Sequence, residues 1–193
     1  LILPPFIDRK KHLDASEGKI DFTALINEAY EVFENDFIKN SVMYEGTRVL
    51  VDKSILDCAK VGNKCSNSFC TCESCPWKGR LDIFQHLTSD EDPKIKKYLT
   101  PEYKNSKNKK GNKIKSRTPG ILSPARTIRI PWLKTMIENS NDPEIQKHEK
   151  PYGRNREKIT LHSKKHNYKI AFMRTTLKSG DKVIYLNSAF YKP

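Results

Sequence analysis

Acidic residues are the scarce class in this chain: 23 Asp and Glu stand against 36 Lys and Arg in 193 residues, a formal net charge of +13. The densest acidic stretches are an amphipathic segment after Asp21 and the knot Asp90-Glu-Asp92. Neither offers a carboxylate cluster suited to two Mg2+ ions, which argues against a metal-dependent nuclease. Long apolar runs are missing too, since none approaches the ~20 residues that a bilayer requires, so no membrane partner is expected. The chain contains no P-loop, no glycine-patterned dinucleotide turn, no G-x-S-x-G and no H-E-x-x-H, which removes the motif-borne enzyme classes. It begins Leu1-Ile-Leu-Pro-Pro-Phe with no secretory pattern behind it, and reads as a piece of something longer with a cytoplasmic setting, in a bacterial or phage-infected cell or after delivery to a target cell.

What is present is basic charge, and it is segregated. Between Tyr103 and Arg117 there are Lys and Arg residues and no acid at all. An excess of this kind favours polyanionic partners, nucleic acid first, through phosphate neutralisation and counterion release. The bland alternative is a lysine-rich composition that colours every surface alike. In this region Lys104, Lys107, Lys109, Lys110 and Lys113 are candidate phosphate contacts. The whole stretch 101–124 reads as a basic flexible connection between an N-terminal part, 1–100, and a C-terminal part, 125–193, which forms one compact domain with 21–100.

The first twenty residues read as a weakly structured lead-in. Asp21 then caps a helix to about Ile38, with Phe22, Leu25, Ile26, Ala29, Tyr30, Phe33 and Phe37 on one stripe at helical spacing, which is core. Tyr44-Glu-Gly46 turns the chain into a strand at Thr47 to Val51, and Asp82 to Thr88 is a short, partly apolar piece. Two helical turns are expected over Asp92 to Leu99. Pro131 suits the first turn of another helix and pushes Ile130 towards extended geometry. Asn139 to Asn155 reads as a polar loop. Arg156 to His162, Asn167 to Thr175 and Lys182 to Ala189 are rich in β-branched and aromatic residues and form a three-stranded antiparallel meander. The fold class is therefore α+β, with N-terminal helices followed by an antiparallel sheet. Alternation places Ile184, Leu186 and Ser188 on one face of the last strand, and gives the first meander strand a polar face of Arg156, Lys158 and Thr160.

Cys65, Cys70, Cys72 and Cys75 lie within eleven residues, with Cys58 upstream. Thiolates so spaced can hold a structural zinc at ~2.3 Å, tying down a loop with little else to pack. Disulfides that leave one cysteine unpaired, and free thiols, are the competing states. No catalytic metal is expected.

Around the meander collect Arg126, Arg129, Lys134, His148, Glu149, Arg154, Arg156, His162, His166 and Ser188. These residue types are what metal-free RNA cleavage needs: a base for the 2'-hydroxyl, an acid for the 5'-oxygen, and cations for the phosphoryl oxygens. For any one of them, a solvated surface group is the ordinary reading. Arg156 and His162 are candidate catalysts; Arg126, Lys134 and Arg154 are candidate RNA contacts.

The stretch Arg129-Ile-Pro-Trp-Leu-Lys-Thr-Met-Ile137, the basic Arg154-Asn-Arg156 and the closing Val183-Ile-Tyr-Leu-Asn-Ser-Ala-Phe190 resemble the phage-associated barnase-like families, in the group of small ribonucleases with the barnase, EndoU, RNase-colicin and RelE fold. Phe84-Gln-His-Leu-Thr88 is similar to an upstream element of some of them. The resemblance implies a helix-then-sheet domain that grips RNA on a concave sheet face and cleaves it without metal. It further implies Ser188 as a last-strand hydroxyl, His86 as the upstream histidine, Arg129 as the arginine before the helix, and Arg154 and Arg156 as phosphate-facing groups. Three functions follow: a metal-independent endoribonuclease with RNA and an immunity or antitoxin protein as partners, a non-catalytic nucleic-acid-binding module with a zinc-stabilised cysteine loop, or a phage accessory or interaction domain.

Overall fold

The computed structural model describes residues 1–13, 21–53, 79–91 and 120–191. Helix α1 spans Phe22–Glu34, where Asp21 accepts hydrogen bonds from the Thr23 and Ala24 amides at 2.9 and 3.1 Å. That satisfies two of the four amides that a helix start leaves without intrahelical partners. The helical course continues as one wider π turn over Asn35–Lys39, closed by Asn40, whose side chain donates to the Asn35 carbonyl. Of the expected stripe, Leu25, Ile26, Ala29, Phe33 and Phe37 are buried, Tyr30 is half-buried, and Phe22 stays outside.

Strands β1 (Met43–Tyr44) and β2 (Thr47–Leu50) form a tight hairpin. Its two loop residues, Glu45 and Gly46, both have positive φ, 48° and 78°, the mirror-image turn whose twist matches the flanking strands. Helix α2 (Asp82–Thr88) leads into β3 (Ser89–Glu91), which pairs with β4 (Gly120–Leu122) as a separate two-stranded ribbon. Short helix α3 covers Pro124–Thr127 and α4 covers Trp132–Glu138. Between them Ile130 does not run extended. The chain winds through consecutive i→i+3 turns, Arg129 to Arg126, Ile130 to Thr127 and Trp132 to Arg129, which deliver Pro131 to α4 already in helical geometry.

Four strands follow: β5 (Ile145–Pro151), β6 (Arg156–Ser163), β7 (Tyr168–Thr176) and β8 (Lys182–Tyr191). The expected polar loop at Asn139 to Asn155 is therefore in large part a strand, and the meander has four members. Only the first residue of β5, Ile145, is buried, so the strand carries no hydrophobic alternation that a sequence pattern could report. A polar, charged edge of this kind also discourages pairing with another chain. β2 adds to β8 in parallel, giving a six-stranded mixed sheet in the order β1-β2-β8-β7-β6-β5.

One side of the sheet is the core. Ile159, Leu161, Tyr168, Ile170, Phe172, Ile184, Leu186 and Ala189 join Leu25, Phe33, Phe84, Leu133, Met136 and Ile137 in one hydrophobic cluster, so residues on both sides of the basic connection share it. The first residues are not a loose lead-in where they are described. The Trp132 indole donates to the Pro4 carbonyl at 3.0 Å, Phe6 packs on Trp132, Ile7 is buried and its amide bonds the Ile128 carbonyl. Apolar side chains at Leu3, Phe6 and Ile7 supply the reason, since they cover the end of the core.

Candidate active site

Strand register fixes what the other face of the sheet carries, because directly opposed residues of neighbouring strands share a face. His148 of β5 lies opposite Thr160 of β6, Thr160 opposite Ala171 of β7, and Ala171 opposite Ser188 of β8. In the next row Gln146 is followed by His162, Lys169 and Phe190, and in the row on the other side Lys150 by Lys158, Met173 and Tyr185. Arg156, opposite Thr175, closes the face at its far end. His148, Lys150, Arg156, Lys169 and Tyr185 are exposed, and Lys158, Thr160, His162 and Met173 half-exposed, so solvent reaches this side, although Ala171 and Ser188 at the β7–β8 end of the central row are buried. His148 and His162 are diagonal neighbours across Thr160, positions that in antiparallel sheets lie about 7–8 Å apart.

Over β5–β8 this face holds four Lys or Arg side chains and two histidines and, among the described residues, no carboxylate. The acids of the same strands, Glu149 and Glu157, alternate onto the core side. There they surround Arg174, whose guanidinium meets Glu157 at 2.7 Å, Glu45 at 3.2 Å and Glu149 at 3.4 Å. The β1–β2 hairpin closes over the group. Tyr44, fully buried with its ring 4.9 Å from Phe172, donates its hydroxyl to Glu149 at 3.0 Å, and Lys147 pairs with Glu45. Burial and the Glu149 carboxylate push the Tyr44 phenol well above its ordinary range. The Lys147 hydrogen bond holds Glu45 below the usual carboxylate range. Burial opposes the charge on Arg174, but its bond to Glu157 and the nearby Glu149 outweigh that and raise its affinity for the proton. The strand acids are thus neutralised on one face, and among the described residues the cations of the other face meet no carboxylate.

The His162 imidazole has its pKa lowered, first by partial burial and then by the positive charges of Lys169 and Lys164 and by His148. A histidine shifted in that direction is neutral near pH 7 and able to accept a proton. Among the described residues neither His148 nor His162 is hydrogen-bonded to a carboxylate.

The sequence-derived candidates divide. Arg156 and His162 stand on the open face, and Arg154 is exposed in the turn that joins β5 to β6. Ser188 is 4 % exposed. A one-residue register shift between Ala171 and Phe172 pairs Ser188 with Ala171 and gives the core position to Ala189, so Ser188 does not share the face of Ile184 and Leu186 as simple alternation expects.

Arg129 is 9 % exposed and lies against the rings of Tyr191, Phe6 and Trp132, 3.5, 4.8 and 5.2 Å from their centres, with one nitrogen donating to the Ala125 carbonyl. It serves as a cationic pin between the N-terminal segment and the last strand, and burial lowers its pKa. Arg126 donates to the Ser89 carbonyl and lies 5.3 Å from the centre of the Phe190 ring. Lys134 on α4 reaches Asp36 at 3.9 Å. His86 is half-buried on α2, next to Phe84 and Leu87, which enter the core, and is not brought to the strand rows by register. Lys104, Lys107, Lys109, Lys110, Lys113, the helical turns expected over Asp92 to Leu99, and all five cysteines lie outside the described residues.

Compared with known proteins, the chain matches no family model, no curated protein and no solved structure. Within the described residues no helix is long and apolar enough to cross a membrane. His148 and Thr160 are the site residues that spacing alone did not single out as catalytic. Thr160 already stood on the expected polar face of its strand; the signal for His148 is the two-residue alternation His148, Lys150 against Glu149, which is legible only once 145–151 is known to be a strand.

Proposed function

We propose that the open face of β5–β8 binds RNA and cleaves it without a metal, as the likeness to the barnase-like ribonucleases implies. The observation that carries this reading is the convergence of His148, Thr160 and His162 among Lys150, Arg156, Lys158 and Lys169 on a face that carries no carboxylate among the described residues. RNA supplies its own nucleophile. His162 takes the proton of the 2'-hydroxyl as that oxygen attacks the adjacent phosphorus, and the bond from phosphorus to the 5'-oxygen breaks. His148 gives that leaving oxygen its proton. The products are a 2',3'-cyclic phosphate and a 5'-hydroxyl. Lys158 and the Thr160 hydroxyl stabilise the charge that builds on the phosphoryl oxygens. Two groups on diagonal positions can address opposite ends of an in-line displacement.

The test is cleavage of a short RNA in excess EDTA with product ends identified by mass spectrometry. General acid and base roles of this type contribute about 10²–10⁴-fold each, so His148→Ala and His162→Ala are each expected to lower kcat by about 100-fold or more with the fold intact. Unchanged rates in both variants would remove the mechanism. Binding with no cleavage would leave the second reading, a silent nucleic-acid module, which the absence of a carboxylate orienting either histidine among the described residues favours.

A further inference from the structure

On β8, a strand flanked on both sides, an aromatic ring faces solvent: Tyr185 is 43 % exposed. The other large apolar side chains that reach the surface among the described residues sit at helix ends, turns or the N-terminal segment, as Phe6, Phe22, Tyr152 and Leu177 do, or on the edge strand β1, as Met43 does. Register gives Tyr185 specific company. Leu50 of β2 is its partner on one side and Met173 of β7 on the other, both half-buried, and the same row continues through Lys158 to Lys150. A flat apolar shelf thus runs directly into a pair of ammonium groups, which is the chemical outline of a nucleotide: a π-face at one end and a phosphate at the other. The position also fits. Two strand spacings and one two-residue step separate Tyr185 from Thr160, roughly 12 Å. That is too far to hold the base of the nucleotide being cut and close enough to hold that of a neighbour.

Resting on the reading of this face as an RNA site, we infer that Tyr185, flanked by Leu50 and Met173, is a base-stacking subsite that makes the protein selective for single-stranded RNA. A base can lie on the shelf only when it is free of its own helix. Bases inside a duplex are stacked on one another and present the face with phosphates alone. Stacking does not depend on base identity, so the subsite discriminates strandedness rather than sequence.

The experiment measures binding of the whole chain, by fluorescence anisotropy, to a labelled short RNA carrying 2'-O-methyl groups so that it cannot be cut. The same RNA annealed to its complement is the second probe. Tyr185→Ala is expected to weaken single-strand binding about tenfold, to leave duplex binding unchanged, and to keep the same dependence on salt. Tyr185→Phe, which keeps the ring, is expected to bind like the parent. If Tyr185→Ala lowers both probes equally or neither, the subsite is overturned even where the parent protein cleaves RNA and His162→Ala abolishes that cleavage. If the parent binds neither probe at low salt, the subsite and the ribonuclease reading fall together.

Discussion

Replacing Lys169 by glutamine tests the chemistry through a group that does not react. Lys169 is the cross-strand partner of His162, and its charge is among the causes that lower the imidazole pKa. With the two charges about 6 Å apart and water's full screening, their repulsion is worth roughly 0.7 kcal/mol. The sign follows from the role. His162 must be unprotonated to accept the 2'-hydroxyl proton, so kcat/KM rises with pH through the His162 pKa, and that limb lies below the ordinary histidine value near ~6.5. Removing Lys169 raises the pKa and moves the acid limb up in pH. In 1 M salt, where the screening length is about 3 Å, the parent and variant profiles converge. Lys158→Gln is the control. Four residues along the strand from His162, or ~13 Å, it is expected to lower the cleavage rate and weaken RNA binding at every pH without moving the limb. The assay is initial-rate cleavage of a dinucleotide over pH 4.5 to 8 in EDTA. An acid limb that stays in place in Lys169→Gln, or moves down, would refute His162 as the base.

Three further outcomes are expected. If Lys150, Arg156, Lys158 and Lys169 each neutralise one phosphate, log K for a single strand falls with log salt at a slope near −3, about a 50-fold loss between 50 and 200 mM; a slope near zero in a titration series would deny the face its role. Arg174→Met leaves Glu45, Glu149 and Glu157 around a 16 % exposed position, and is expected to cost about 2 kcal/mol in urea unfolding at pH 7, a deficit that shrinks towards pH 4 as the carboxylates protonate. Elemental analysis of the intact chain decides among the three cysteine states: one zinc per chain, whose removal lowers thermal stability and leaves RNA cleavage unchanged, is the pattern of a structural ion, and a chain without zinc is the pattern of disulfides or free thiols.

The α1 cap at Asp21, the Glu45-Gly46 turn and three of the meander strands were legible in the chain because each has a local physical signature. A capping carboxylate, a residue pair able to take positive φ, and period-two apolar runs need no knowledge of the rest of the molecule. β5 had no such signature, because an edge strand with one buried residue has no apolar period, and with it His148 was hidden among loop residues. Arg129 and His162 show the same limit from the other side. Both are basic residues near the meander in sequence, yet one is enclosed by the Phe6, Trp132 and Tyr191 rings and the other stands on an open row beside Thr160.

Composition set the sign of the charge and alternation set which residues could share a face. Only pairing between distant strands decided the rest. The register of β5 on β6 brought two histidines together, the shift at Ala171 withdrew Ser188 from the aliphatic face of β8, and the docking of β1–β2 brought Glu45 and Tyr44 onto Arg174 and the strand acids beside it. Those outcomes depend on hydrogen bonds between segments far apart in the chain, and a one-residue change in any of them would turn every side chain of the strand to the opposite face.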